Sequence, residues 1–594
     1  MPKSTSKSKM AHITQATQSP AAPSVALVAT DKEKKEGAEK ITSSRDWVFD
    51  ALNYHVDAWQ RSVLFLDTLR QRADNMIEHE KNGMPPLLDF HYEMVLDART
   101  FDSPANYALL KITQVEDVCL ADCLDPEKPP VIIVDPRAGH GPGIGGFKRD
   151  SEVGIAIHEG YPVYFVIFYP DPAPHQTVND VLQALRVFIE ATKKRHEGKA
   201  PILYGNCQAG WMLTILAADC KGLTGPVITN GSPLSYWASS EEGNPMQMHG
   251  SLAGGVWLAR FFADVSNGTL DGAWLVQNFE NLNPANALWQ KYYNLYANID
   301  TEREKFLDFE RWWTGFYSLS EEEITATVEN LFIGNKLERG ELQLDDGCTI
   351  DLKNIANPLL IFASHGDNIT PPRQALHWIR QVYPSTDALK NAGQRIAYMI
   401  NPNVGHLGIF VSAKVAKLEH RAILEHVREM EDLSPGLYEM KIINPTGDPD
   451  CSHDQYEVRF EERQIEDLCE SMPSEPFDTV RRISELNDRL YRGMLRPWVQ
   501  AFANPLSAEI LKNIHPMRVS RKIFSEKVNP WMWHIEQLAK TVEEHRTETH
   551  PEGIFYKAEQ TTGQHIANAL HDMSDARDDG MRKLFLQLFG KADV

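Results

Sequence analysis

The chain has 594 residues, 42% of them hydrophobic and 24% charged, with a formal net charge of -22. That acidity excludes a nucleic-acid-binding surface, which needs clustered Lys and Arg, and no apolar run approaches the roughly 20 residues that span a bilayer. The length predicts more than one domain, while 7 scattered cysteines exclude a secreted disulfide framework and fit a reducing cytoplasm.

Residues 1–45, rich in Ser, Ala, Lys and Pro, are expected to form a disordered tail, being too poor in large apolar groups to offset the entropy of ordering. Segment 46–86 is expected to be helical, because Leu52, Val56, Trp59, Val63, Leu66, Leu69, Ala73 and Met76 step by threes and fours and so share one stripe. That stripe is expected to cover the catalytic domain or a second copy in a homodimer, or else to touch a lipid-like surface such as a polymer granule. The run Gly83-Met84-Pro85-Pro86 then ends the helical pattern.

Residues 87–431 are expected to form the catalytic domain. Strands are predicted at 92–96, 107–112, 131–134, 163–168, 202–204, 227–229, 359–363 and 396–400. Several are continuous apolar runs alternating with helix-like segments, the pattern of a mostly parallel sheet covered on both faces in an α/β fold. Cys119 and Cys123 lack a second Cys or His pair nearby, so no metal site is expected. From about 239 to 339 an aromatic-rich helical insertion interrupts the alternation where a lid would sit; its aromatics are expected to be mostly core, with some lining a substrate. Residues 432–594 are charged, interrupted by Pro and then helical, a mainly helical C-terminal region without a chemical motif.

The chemistry is concentrated at three strand ends. Residues Gly205-Asn206-Cys207-Gln208-Ala209-Gly210 read as a strand turning sharply into a helix with a cysteine at the apex, where only small residues such as Gly205 and Ala209 fit two places away. The following helix start favours a thiolate. After the strand at 359–363 comes Asp367, and after the strand at 396–400 comes His406. The order nucleophile, acid, histidine is that of α/β-hydrolase triads: His406 would take the proton of Cys207 and Asp367 would fix its tautomer. Asp367 could instead cap the turn before Pro371-Pro372, and His365 and His377 read as surface or packing residues.

For the oxyanion, the Gln208 amide is the natural donor, with a second amide expected from the glycine-rich loop after Val134, Gly139 and Gly141 being the candidates. The loop lacks the Gly-Lys-Ser/Thr ending of a Walker phosphate loop, since Phe147-Lys148 follow Gly146.

These motifs resemble the poly(3-hydroxyalkanoate) synthases, whose elbow reads Gly-x-Cys-x-Gly-Gly. Asp367-Asn368-Ile369-Thr370-Pro371, Gly405-His406 and Asn281-Leu282-Asn283-Pro284 are similar to further motifs of that family. The likeness spans about 131–412 and implies an α/β-hydrolase fold, to which the residues themselves add a helical lid and helical N- and C-terminal extensions, the long flanking regions being foreign to that family. It also implies an acyl thioester on Cys207, a (hydroxy)acyl-CoA as donor, a hydroxyl as acceptor and no cofactor. Ala209 stands where the family has its first elbow glycine, and Trp211 follows where a small or hydroxyl residue is usual. A thioesterase, esterase or polyester hydrolase using water as acceptor, and a non-catalytic granule-associated protein, are the alternatives.

Overall fold

Alternation within single strands shows how the sheet is buried. In β4 (Val131–Val134), Val131 and Ile133 pack into one apolar cluster and Ile132 and Val134 into the other, as expected of a strand whose successive side chains face opposite covered sides. The computed structural model describes residues 44–115, 118–119, 124–219, 223–238, 243–344, 347–444, 457–468 and 475–590. The expected tail falls outside them for all but its last two residues, and so does Cys123.

The sheet begins with β1 (His91–Asp97) and β2 (Tyr107–Val115), an antiparallel pair with the short β3 (Val118–Cys119) on β2. Then β5 (Val163–Phe168), β4, β6 (Ile202–Asn206), β7 (Val227–Asn230), β10 (Leu359–Ser364), β11 (Arg395–Asn401) and β12 (Gly436–Ile443) follow in that spatial order, all parallel. The antiparallel β13 (Glu457–Arg463) closes the far edge. This parallel sheet with an antiparallel leading pair and crossover helices is the α/β-hydrolase fold, and the lid enters between β7 and β10, framed by the small pair β8 (Thr269–Leu270) and β9 (Leu319–Ser320).

β12 and β13 lie in the stretch expected to be mainly helical; helices take over only from Glu475. Their pattern is obscured by charge: in β13 only Val458 and Phe460 pack inward, while Lys441–Glu461 and Arg463–Glu439 pair across the strands. Charged edge strands of this kind resist pairing with other chains.

The N-terminal helix runs Ser44–Lys81, but its stripe divides. Val63, Leu69, Ala73 and Met76 are buried as expected, whereas Leu52, Val56 and Trp59 face solvent. The cause is a buried ionic cluster on the opposite side: Arg61 bonds Asp57 and Glu559, and Arg546 bonds Asp57. These charges need partners and so dictate the rotation of that half of the helix. Further along, Arg72 reaches the fully buried Glu310 of the lid. That bond ties the N-terminal helix to the lid, and Lys291, itself in the lid, also bonds Glu310.

Candidate active site

Strand β6 delivers Cys207 to the carboxyl edge of the sheet, and the helix Gln208–Asp219 leaves immediately after it. Cys207 has φ +47°, the left-handed region that an L-residue enters only under constraint. Its N–H donates to the Asn230 carbonyl at 2.8 Å and its carbonyl accepts from Gly210 at 3.0 Å. The turn admits no larger neighbours: a Cβ on Gly205 would stand 2.8 Å from the Gly210 Cα, and one on Gly210 would stand 1.9 Å from the Ser232 Oγ. Ala209 is buried with its methyl accommodated.

His406 opens the helix His406–Val411 that follows β11. Its Nδ1 lies 2.7 Å from the Asp367 Oδ2, and its ring packs edge-on against Phe410. Burial by itself would lower the imidazole pKa, but the charge of Asp367, then that of Cys207, and hydrogen bonds to both outweigh it and push the value up to about 10. Asp367 also caps its own turn, because Oδ1 accepts from the amides of Ile369 and Thr370, each at 2.8 Å. Turn cap and histidine partner are thus one residue using two oxygens. Gly366 lets the acid and histidine loops meet, since a Cβ there would stand 2.3 Å from the Asn403 carbonyl oxygen. His365 is exposed, and His377 lies beside Gln381 on the following helix.

The Gln208 side chain does work of its own: Oε1 accepts from the Arg137 amide at 2.9 Å, joining the elbow to the glycine-rich loop. Gly141, expected as an oxyanion donor, does not serve, because its N–H donates to the Gly315 carbonyl at 3.0 Å. The Gly139 carbonyl accepts from Tyr317, and a Cβ on Gly139, at φ +101°, would stand 2.5 Å from the Gly272 oxygen. Between the engaged amides of Arg137 and Gly141 lie those of Ala138, Gly139 and His140. The lid holds this loop in place through the Trp312 Nε1, which donates to the Gly141 carbonyl, and through Arg137, which bonds Ser318 O and Glu323.

Several residues beneath and beside the elbow carried no legible signal in the sequence. Asn206 donates to Glu152 at 2.5 Å and accepts from Asn230. Burial, against the opposing bond from Asn206, raises the Glu152 carboxyl well above its ordinary range. Asp135 accepts from Gly143 and Gly145, and burial outweighs those bonds to push it up to about 6. The His140 ring lies 4.2 Å from that of Trp312, tilted at 55°, and burial, with the nearby His406 adding to it, brings its pKa down to about 4. Only the density of glycines around His140 hinted that this loop approaches something closely.

Of the lid aromatics, Trp312, Trp313 and Phe316 join the apolar cluster against which Cys207 packs. Trp289, Tyr293 and Tyr296 instead brace the terminal helices, bonding Gly563 O, Glu559 and Ala58 O. Among the described residues no group of His, Cys, Asp and Glu could hold a metal ion, and no helix is long and apolar enough to cross a membrane.

The chain is 24% identical over 279 residues to the poly(3-hydroxyalkanoate) polymerase subunit PhaC of Haloferax mediterranei, covering 44% of this chain and 51% of that one. It is 24% identical to the subunit of the same name from Thiocystis violacea, covering 60% and 93%. A solved monoglyceride lipase from Saccharomyces cerevisiae is similar at 14% identity with a TM-score of 0.38, covering 59% of this chain and 96% of the lipase. At 42% identity, an uncharacterized protein encoded in the ackA 5' region of Rhizobium meliloti matches 91% of this chain and 74% of its own length. Residues 57–594 match the family described as "Protein of unknown function (DUF3141)", and the chain belongs to that family.

Proposed function

We propose that this protein is an acyltransferase that takes the acyl group of a (hydroxy)acyl-CoA onto Cys207 as a thioester and passes it to a hydroxyl. The observation that carries the reading is the His406 Nδ1 set 2.7 Å from the Asp367 Oδ2, with Cys207 near enough to raise the His406 pKa and held at positive φ on the elbow. In the first half-reaction the proton of the Cys207 thiol already rests on His406, the sulfur attacks the donor carbonyl, and the bond to the CoA sulfur breaks as His406 passes that proton to it. In the second, His406 accepts the proton of the acceptor hydroxyl, the oxygen attacks the enzyme thioester, and the Cys207 sulfur leaves. The Gln208 amide, with one from Ala138, Gly139 or His140, would hold the tetrahedral oxygen. Exchange of one thioester for another changes little in bond energy, which suits a cysteine.

Hydrolysis of thioesters, esters or polyester oligomers by the same residues is the second reading, favoured by the partial exposure of Cys207, which gives water a route to the intermediate. A non-catalytic granule-associated protein is the third; it would use the outward Trp47, Leu52 and Trp59 of the N-terminal helix, a face that a homodimer mate would equally cover. A reducing cytoplasm suits a free reactive thiol.

Intact-protein mass spectrometry after incubation with a panel of acyl-CoAs tests the proposal. An acyl adduct that Cys207→Ala abolishes is expected, with ester product or chain growth identifying transfer and free acid identifying hydrolysis. Absence of both adduct and CoA release refutes it.

A further inference from the structure

The helix Glu475–Leu490 buries Phe477 and Val480 in its first half, but from Ser484 onward the arrangement is reversed. There and in the turns after it, polar groups face inward: Ser484 Oγ accepts from the Val256 amide, Asp488 pairs with Arg260, and the Tyr491 hydroxyl donates to Asp264, all on the lid helix Val256–Val265. The outward face is apolar. From Leu486 to Ile514 every fourth residue is large, apolar and exposed, with Met494, Trp498, Phe502 and Leu506 standing furthest out, Trp498 at 69% and Phe502 at 77% exposure. The ridge crosses the helix Arg496–Phe502 and continues on Pro505–Asn513. Eight such side chains present on the order of 1,000 Å² of apolar surface, against the few hundred that a monomer's largest patch usually shows. An isolated exposed leucine needs no explanation, but a continuous face of this size does.

The charge along the ridge identifies its partner. From Leu486 to Ile514 there are four cations, Arg489, Arg492, Arg496 and Lys512, against two carboxylates, Glu509 and the inward Asp488 that pairs with Arg260, in a chain of net charge -22. Arg496 is held by Asp264 and Glu321. Arg492 is more than half exposed with only a long 3.8 Å contact to Asp488, and Arg489 donates to the Glu485 carbonyl oxygen. Apolar side chains rich in Trp, Phe and Leu beside arginines match an interface of anionic headgroups over hydrocarbon. A second copy would instead bring these arginines against their own image. We propose that the ridge from Leu486 to Ile514 docks this protein on the surface of an anionic phospholipid bilayer, lying in the interface without spanning it. The inference does not depend on the chemistry at Cys207.

The test is flotation of the purified full-length protein with vesicles of phosphatidylcholine, alone or mixed with phosphatidylglycerol. Wild-type protein is expected to float with the mixed vesicles and to stay behind with phosphatidylcholine alone. Removing three anchors in W498S/F502S/L506S, all on the exposed face, is expected to lower the bound fraction tenfold or more. The milder R489Q/R492Q is expected to lower it about tenfold while leaving the anchors in place. Circular-dichroism melts should match the wild type for both variants. Wild-type protein that ignores phosphatidylglycerol overturns the proposal, and so does undiminished flotation of the triple variant. A stable wild-type dimer in gel filtration that the triple variant converts to monomer assigns the ridge to a second copy and overturns it equally.

Discussion

Replacing Asp367 by Asn isolates the link between acid and histidine without disturbing the turn. The native carboxylate uses Oδ1 for the amides of Ile369 and Thr370 and Oδ2 for His406. An asparagine can keep its single oxygen on the two amides, which places its NH₂ against the His406 Nδ1. That nitrogen must then accept, so the proton moves to Nε2 and the ring can no longer take one from Cys207. Losing one buried hydrogen bond to a charged group costs about 1.5–3 kcal/mol, or roughly 10- to 150-fold in rate; a reversed tautomer extends the loss toward about 10⁴-fold. The assay needs no substrate: alkylation of Cys207 by iodoacetamide at pH 7.5 is followed by intact-protein mass spectrometry. The variant should react at least tenfold more slowly than wild type while melting at nearly the same temperature. An unchanged alkylation rate in a folded D367N protein would refute the role assigned to Asp367.

Gly210→Ala should destabilise the protein by about 1–3 kcal/mol through overpacking, because the new Cβ meets the Ser232 side chain; Ser232→Gly in the same chain should recover most of the loss in a urea titration. Glu310→Gln should cost about 3–5 kcal/mol by leaving buried cations uncompensated, read from the same titration. Burial opposes ionisation of Glu310, yet Lys291, Arg72 and Arg521 hold its pKa down at about 2. Its stabilising contribution is therefore complete above the unfolded carboxyl pKa and lost as pH falls toward 2, so E310Q should flatten the acid limb of a stability-pH curve. His406 works in the other direction: with a folded pKa raised to about 10, its contribution is complete below the unfolded value near 6.5 and lost as pH rises through 10. The curve for His406→Gln should show a shallower decline between pH 7 and 10 than that of the wild type.

Much of the catalytic half was legible because its signals are local. The apolar runs at 131–134 and 163–168 coincide with β4 and β5, since a strand covered on both faces has nowhere to put a polar residue. The elbow was readable for the same reason: a strained turn between strand and helix tolerates few residue types, and Gly205, Ala209 and Gly210 state that constraint in sequence. β12 and β13 escaped because their charged residues satisfy one another across the ladder, a pairing that no single strand reveals. Gly141 resembled a donor until the lid carbonyl of Gly315 claimed its amide.

What the sequence determined by itself was the places of the core strands along the chain, the turn at Cys207, and the positions of Asp367 and His406 at strand ends, all set by backbone sterics and hydrophobic period. Only the tertiary structure decided which face each helix shows. The N-terminal helix and the ridge from Leu486 both carry apolar stripes that predict burial, yet Arg61 and Asp57 in one, and Asp488 with Arg260 in the other, take the inward positions. A buried charge without its partner costs more than an exposed leucine or tryptophan, and the partners lie hundreds of residues away, where no periodicity along the chain can announce them.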